Sequence, residues 1–319
     1  MVMNHAKIKY KMIPGVKKMY AVIDIGSNTI RLSVYAIQDG QIKPMFSRKN
    51  TAGLISYVDQ NGCMTERGIQ KAISVLSGFQ KIIENTKVEH IFVLATASLR
   101  NVQNRDEILT LLREKTGFEV TVLSGEEEGV CGFVGAAYHI NVDSGLLVDI
   151  GGGSTEFVFY QNRKISKTYS IPMGSLSLYA NFVSGLTPTK DEYKKMKKYI
   201  KEQLQTLDQG AAPAPILCGV GGTTRAACKL VNDFYGEPLT NRKFQPDQLK
   251  KVMKSFYHDK DGVQRILRVV PDRIHTIIPG MIILRTITSC FNSQDIIISE
   301  YGVREGYLIK TVIGWENGS

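Results

Sequence analysis

Apolar and polar positions follow two different periods along this chain, and the places where the period changes mark its elements. Tyr20–Gly26, Arg31–Ile37 and Gln41–Arg48 are strand-like runs parted by turn residues. The period then lengthens. Ile69, Ile73, Leu76, Phe79, Ile82 and Ile83 form one apolar stripe on a helix from about Thr65 to Asn85. His90–Thr96 reads as a buried strand, Asn104 with Glu107 three positions on as a capped helix start, and Phe118–Leu123 as the next strand. Ser124 opens a helix that runs through Tyr138, with Glu127 in the capping-box position. Strands follow at Leu146–Val148, Phe157–Tyr160 and Lys164–Ile171, then a helix capped by Thr189 and Glu192. Tyr193, Met196, Ile200, Leu204 and Leu207 form the apolar stripe of that helix. Pro213-Ala214-Pro215 ends a linker before a short strand, Ile216–Cys218, and Gly219–Arg225 leads into a helix through Leu230. Ile296–Ser299 is a last strand and Val303–Val312 a closing helix. Strands alternating with helices predict an α/β fold.

The stretch from Leu147 to Tyr160 stands out within this pattern: a buried strand, the turn Gly151-Gly152-Gly153-Ser154, and a second strand. Consecutive glycines can turn with positive φ and crowd nothing, so their N–H groups can converge on an anion. Asp149 ends the first strand, where a carboxylate can hold a divalent cation, and Glu156 adds a second acid beside the turn. One such segment reads as an ordinary hairpin. A second copy changes that reading: Val22 to Tyr35 aligns with it without gaps, 125 positions earlier, pairing Asp24 with Asp149, Gly26 with Gly151 and Tyr35 with Tyr160. Two acid-headed glycine turns predict a duplicated domain, with one phosphate loop from each half.

A length of 319 residues suffices for two domains with their own cores. No apolar run approaches membrane-spanning length; Ile277 to Leu284 is among the longest and contains Pro279 and Gly280. No secretory leader is visible in the first eighteen residues, so a cytoplasmic location is expected. Residues 1–18 read as a flexible basic extension, and Met19 makes an equally sensible start. The five cysteines are scattered, without a C-x-x-C pair, and the five histidines have no metal-ligand spacing. The formal net charge of +10 suits a polyanion partner. No RNA-recognition signature or helix-turn-helix pattern accompanies it, so nucleic acid is not expected. Lys194, Lys195, Lys197, Lys198 and Lys201 read first as a solvated helix face, with a polyanion track as the alternative.

Five motifs occur in order: Asp24-Ile25-Gly26-Ser27-Asn28, Ala95-Thr96-Ala97-Ser98-Leu99-Arg100, Ser124-Gly125-Glu126-Glu127-Glu128, Asp149 to Glu156, and Ser299-Glu300-Tyr301-Gly302-Val303-Arg304-Glu305-Gly306. With them the chain resembles the exopolyphosphatase and guanosine pentaphosphate phosphohydrolase family, in its short two-domain form. That family lies within the actin, sugar-kinase and heat-shock-chaperone superfamily. The resemblance covers almost everything after about residue 19. It implies two duplicated actin-like (ribonuclease H-like) domains with mixed sheets flanked by helices and a central interdomain cleft. Domain I would span 19–125, with 303–319 packing back on it, and domain II 126–302. Arg273 to Thr288 resembles the family's long cleft helix. Where family members often carry an acid shortly after the arginine, this chain has His275 and Thr276, a departure that bears on its level of activity.

The activity implied is release of terminal orthophosphate from inorganic polyphosphate by metal-assisted attack of water. Spacing assigns Glu127 to the helix cap and Glu126 to the helix N-terminus, leaving Glu128 free of the cap. The family pattern places the catalytic glutamate on that same residue, the last acid before Gly129. Backbone amides of Gly26, Ser27 and Asn28, and of Gly151, Gly152, Gly153 and Ser154, would cradle phosphates. Arg100 matches a phosphate-binding arginine. Asp149, with Asp24 and Glu156, would hold Mg²⁺ or another divalent cation. The loop Gly219, Gly221, Gly222, Thr223 would lie near the ligand path. Guanosine pentaphosphate is the alternative substrate; an ATP-dependent kinase and a non-catalytic phosphate or nucleotide sensor are alternatives of another class. A homodimer is compatible with this reading.

Overall fold

The structure is a computed structural model that describes residues 15–207, 213–258 and 262–315. Most of the expected basic extension therefore lies outside the described residues, and Lys18 already stands in the first strand. The chain divides into two compact units, Met1–Leu123 with Val303–Ser319, and Ser124–Gly302.

The first unit carries β1 (Lys18–Ile25), β2 (Thr29–Gln38), β3 (Gln41–Thr51), α1 (Glu66–Glu84), β4 (His90–Ala95), α2 (Ala97–Arg100), α3 (Arg105–Thr116) and β5 (Val120–Val122). Its sheet has the order β3-β2-β1-β4-β5. The three leading strands are antiparallel neighbours, while β4 and β5 join in parallel. Ile69, Leu76, Phe79 and Ile83 of α1 are buried with Ile23, Ile25, Leu32 and Val93 of the sheet. Each such side chain contributes about 1.5–3 kcal/mol by leaving water.

The second unit repeats this plan. It contains α4 (Gly125–His139), β6 (Gly145–Ile150), β7 (Thr155–Gln161), β8 (Lys164–Ile171), α5 (Ser175–Phe182), α6 (Lys190–Leu204), β9 (Ile216–Val220), α7 (Gly221–Tyr235), β10 (Lys243–Phe244), α8 (Pro246–His258), α9 (Gly262–Val269), α10 (Ile277–Cys290) and β11 (Asp295–Ile298). The sheet order β8-β7-β6-β9-β11-β10 matches the first unit strand for strand, with β10 added at one edge. The duplication extends to irregularities. Register slips by a bulge between Val34 and Tyr35 in one hairpin, and between Phe159 and Tyr160, 125 positions later, in the other. Helix α10 is apolar on nearly every side and is accordingly buried in the core with Phe157, Met196, Ile200 and Val252.

Both acidic caps form as the spacing predicts, Ser124 with Glu127 and Thr189 with Glu192. The expected box at Asn104 does not. Its side-chain oxygen accepts from the Met64 N–H at 2.9 Å, and its amide nitrogen donates to the Met64 carbonyl at 3.0 Å. The side chain is committed to a segment 40 residues away and makes no cap bond. The helix expected from Arg273 begins later: Pro271–Arg273 form a 3₁₀ turn and α10 starts at Ile277. The closing helix is α11 (Val303–Leu308), which loosens into a π-helical turn over Ile309–Gly314.

Candidate active site

The two glycine turns have one geometry. The Gly26 N–H donates to the Thr29 carbonyl at 3.0 Å, and the Gly151 N–H to the Ser154 carbonyl at 2.9 Å. A Cβ at either glycine would fall 3.1 Å from that carbonyl oxygen, so each turn is too tight for a side chain to fit easily. In both, two further carbonyls are taken by the segment that follows the third strand. The Ser27 and Asn28 carbonyls accept from the Ile55 and Gly53 N–H groups at 3.1 and 2.9 Å. The Gly151 carbonyl accepts from the Ser175 N–H, and that of Gly152 from Leu176 and Ser177, at 2.9–3.0 Å. The N–H groups of Ser27, Asn28, Gly152 and Gly153 have no protein acceptor among the described residues. Two carbonyls of each turn are thus occupied while two of its N–H groups remain available, an arrangement compatible with an anion nest.

At the foot of the second turn, Asp149 and Glu156 are direct cross-strand partners, two acids on one sheet face. Like charges so placed repel, and separate surroundings hold them. Glu156 is fully buried, and its Oε1 accepts from Ser154 Oγ at 2.7 Å and Ser170 Oγ at 2.8 Å. The Asp149 carboxylate lies against Gly221, the first residue of α7, where the helix dipole favours negative charge. Gly221 has φ +81°, and a Cβ there would fall 2.1 Å from Asp149 Oδ1. The Arg273 guanidinium lies against the next residue in the same manner, 2.0 Å from a Cβ built on Gly222. Carboxylate and guanidinium thus flank the start of α7.

Helix α4 lies directly on the β7–β8 hairpin. A Cβ at Gly129 would meet Thr168 Cγ2 at 2.8 Å, so only glycine permits this approach. Glu128, beside it, is 8% exposed and is engaged by a partner; it is outside the cap, as the spacing predicts, but not free. Glu127 closes the capping box, its Oε2 accepting from the Ser124 N–H at 2.8 Å.

The first unit places a different set beneath its turn. Asp24 pairs across the strands with Arg31, where the second unit has Glu156. Burial pushes the Asp24 carboxyl above its ordinary range, opposed by the charges of Arg304 and Arg31. Burial likewise lowers Arg31, and the like charge of Arg304 adds to that. Arg304 donates to Ser33 Oγ at 3.0 Å, and the Tyr35 hydroxyl donates to Glu305 Oε1. Burial and then Glu305 raise the Tyr35 phenol. The sequence marks Arg31, Arg304 and Glu305 only by their place, Arg31 in the repeated hairpin Val22 to Tyr35 and the other two in the motif around Gly302-Val303-Arg304-Glu305-Gly306, and not by their contacts. Arg100, in α2, donates from Nη1 to the Leu123 carbonyl at 3.1 Å.

The loop after β9 divides. Gly221 and Gly222 face Asp149 and Arg273. Gly219 lies inside β9, packed against Ile298 and Thr224, and the Thr223 methyl fills the space beside Gly280. Those two are packing positions. His275, in place of the expected acid, meets the Tyr179 hydroxyl through Nδ1 at 3.0 Å. Among the described residues, no three His, Cys, Asp or Glu side chains are grouped to hold a metal ion. No described helix is long and apolar enough to cross a membrane.

Comparison with known proteins identifies the family and the fold. The Ppx/GppA phosphatase family profile matches residues 33–313. Exopolyphosphatase 1 of Mycobacterium bovis is 25% identical over 309 residues, covering 93% of this chain and 89% of its own. The guanosine-5′-triphosphate,3′-diphosphate pyrophosphatase of Vibrio vulnificus is 32% identical over 170 residues, 53% of this chain and 34% of its own. The crystal structure of the Aquifex aeolicus Ppx/GppA family member superposes with a TM-score of 0.77 at 28% identity, covering 92% of this chain and 97% of that one.

Proposed function

Since the chain belongs to the Ppx/GppA phosphatase family and is a phosphoanhydride hydrolase, we propose that it releases terminal orthophosphate from inorganic polyphosphate. The observation that carries this reading is the pair of matching turns in which the N–H groups of Ser27, Asn28, Gly152 and Gly153 have no protein acceptor among the described residues. Phosphoryl transfer asks a protein mainly for positioning and charge stabilisation. Ser27, Asn28, Gly152 and Gly153 offer N–H groups to phosphate oxygens, and the Gly26 and Gly151 bonds hold each turn in shape. Ser154 acts through its hydroxyl on Glu156, keeping that buried carboxylate away from Asp149. Arg100 and Arg273 supply fixed positive charge for phosphoryl oxygens. Glu128 orients the attacking water and takes its proton.

A divalent cation fits this scheme as a companion of the substrate. Mg²⁺ commonly binds one or two carboxylates plus substrate phosphates and keeps several waters, which suits Asp149 at the foot of the second turn. Once bound there it would neutralise developing charge on the phosphoryl oxygens. Asp24 faces two arginines, and Glu156 accepts two serine hydroxyls, so we assign both to shaping their turns.

Replacing the general base typically costs about 10²–10⁴-fold in rate. Glu128→Gln is therefore expected to abolish orthophosphate release from polyphosphate while the melting temperature stays at that of the parent. Near-parental turnover by the variant would defeat the assignment. Guanosine pentaphosphate is the second reading, favoured by the 32% identity to the Vibrio vulnificus protein. Orthophosphate release from both substrates, compared side by side with and without Mg²⁺, separates the two.

A further inference from the structure

Helices α6, α8 and α10 border a cavity of about 380 Å³ in the Ser124–Gly302 unit. Six of its nine lining residues are cations: Lys190, Lys194 and Lys197 from α6, Lys250 and Lys254 from α8, and Arg285 from α10. No acid lines it, yet the surface it exposes is mostly apolar. The two facts agree when the lysine stems lie along the walls and their charged heads reach past the mouth to water. Tyr193 and buried Met253 complete the apolar wall. Besides the cations, the lining offers two hydroxyls, those of Tyr193 and Ser289.

Arg285 marks the place where the lining changes character. With Ser289 it also lines an adjoining cavity of about 460 Å³, whose further walls include Gln245 and Asp247 at the start of α8 and Asn292 and Gln294 after α10. Arg285 is half-buried and has no carboxylate partner among the described residues. Burial raises the Tyr193 phenol and the charge of Arg285 opposes it, which sets the guanidinium near that ring. An apolar cavity of a few hundred Å³ with few oriented polar groups is the usual make-up of a small-molecule site.

We propose that this cavity binds a straight-chain carboxylate, its alkyl chain along Tyr193, Met253 and the lysine stems and its head on Arg285 at the polar border. Charge and surface together select this class. Cations without acids call for an anion, and apolar walls call for a body that gains by leaving water. An inorganic phosphate chain is charged on every unit and would leave those walls uncovered. A nucleobase needs donors and acceptors along its edge, and two hydroxyls supply few. A cationic amphiphile would meet like charge at the rim. The planar guanidinium fork matches a carboxylate through two parallel bonds. None of the residues placed at the glycine turns lines the cavity, so the inference stands apart from the hydrolase reading.

The test is calorimetric titration of the full chain, without phosphate substrate or divalent cation. Octanoate, decanoate and dodecanoate are used below the concentrations at which they form micelles. The expected result is saturable binding of one carboxylate per chain. Each methylene buried should tighten it about fourfold, so decanoate should exceed octanoate by about tenfold or more. Ser289 is exposed, so Ser289→Trp fills the cavity from its rim without touching the core. It should weaken decanoate about tenfold or more at an unchanged melting temperature. Arg285→Lys keeps the charge and loses the fork; it should weaken every chain length by a common factor of about ten. No saturable binding, an affinity independent of chain length, or parental affinity in either variant would overturn the proposal. So would equal affinity for decyltrimethylammonium, or displacement of decanoate by an equal concentration of tripolyphosphate. Binding confined to phosphatidylglycerol vesicles would overturn it too, in favour of a membrane contact. Should Ser289→Trp melt early, Arg285→Lys decides: uniform weakening across the series supports the site, and parental affinity refutes it.

Discussion

Gly221 offers the sharpest test of how Asp149 is held, because the same helix carries a matched control. Both Gly221 and Gly236, at the two ends of α7, have positive φ, +81° and +70°. Alanine in that region costs about 1–2 kcal/mol at either position. The surroundings differ: a Cβ on Gly236 would meet nothing within 4 Å, whereas one on Gly221 would stand 2.1 Å from Asp149 Oδ1. Real Cβ contacts stay beyond 3.0 Å, so the carboxylate or the helix start must shift by about 1 Å. A misplacement of about 1 Å at a reacting centre can cost about 10²-fold in rate. Gly236→Ala should therefore lower the melting temperature by a few degrees, about 2–4 °C per kcal/mol, and leave orthophosphate release unchanged. Gly221→Ala should lower it further and reduce kcat/KM about a hundredfold. Thermal melts and orthophosphate release on the two variants together are the assay. Parental activity in Gly221→Ala would refute the view that the Asp149 carboxylate must rest on the start of α7.

Three further outcomes follow from the geometry. Tyr35→Phe removes the donor to the buried Glu305 carboxylate and should destabilise the protein by about 1–3 kcal/mol, read as a shifted denaturant midpoint. The backbone N–H of Thr189, then the Ser184 hydroxyl and N–H, hold the Glu192 carboxyl down at about 2. Because that value is depressed, its stabilisation is present above the ordinary carboxyl range near 4.5 and fades as pH falls towards 2. Glu192→Gln should flatten that limb of a melting-temperature profile against pH. Burial pushes the Cys218 and Cys228 thiols to about 12 and about 11. In the native protein a thiol reagent at mildly alkaline pH should modify the accessible Cys63 and Cys290 and leave those two unmodified until denaturant is added.

What could be read in advance depended on how local each feature is. The twin hairpins were legible because their alignment has no gaps, and the same offset returns in the turn bonds and in the bulges at Tyr35 and Tyr160. The caps at Ser124 and Thr189 were legible because both partners lie within four residues. Asn104 failed for the opposite reason: its partner is Met64, 40 residues away. The short elements α5 and β10 had too few residues to show a period. Helix α8 has a signal of its own, because Leu249, Val252, Met253 and Phe256 mark its apolar face. The cluster of Arg31, Arg304 and Glu305 joins segments about 270 positions apart, which no local pattern encodes.

Main-chain recognition at the two turns has a consequence for how this protein can vary. One turn reads Gly-Ser-Asn and the other Gly-Gly-Gly, yet both present amides in the same bonded frame. A donor that belongs to the peptide unit cannot be deleted by exchanging a side chain; it is lost only when the path of the chain bends. Diversification within these loops is therefore policed by shape rather than by chemical identity, and a single gene already carries two spellings of one receptor.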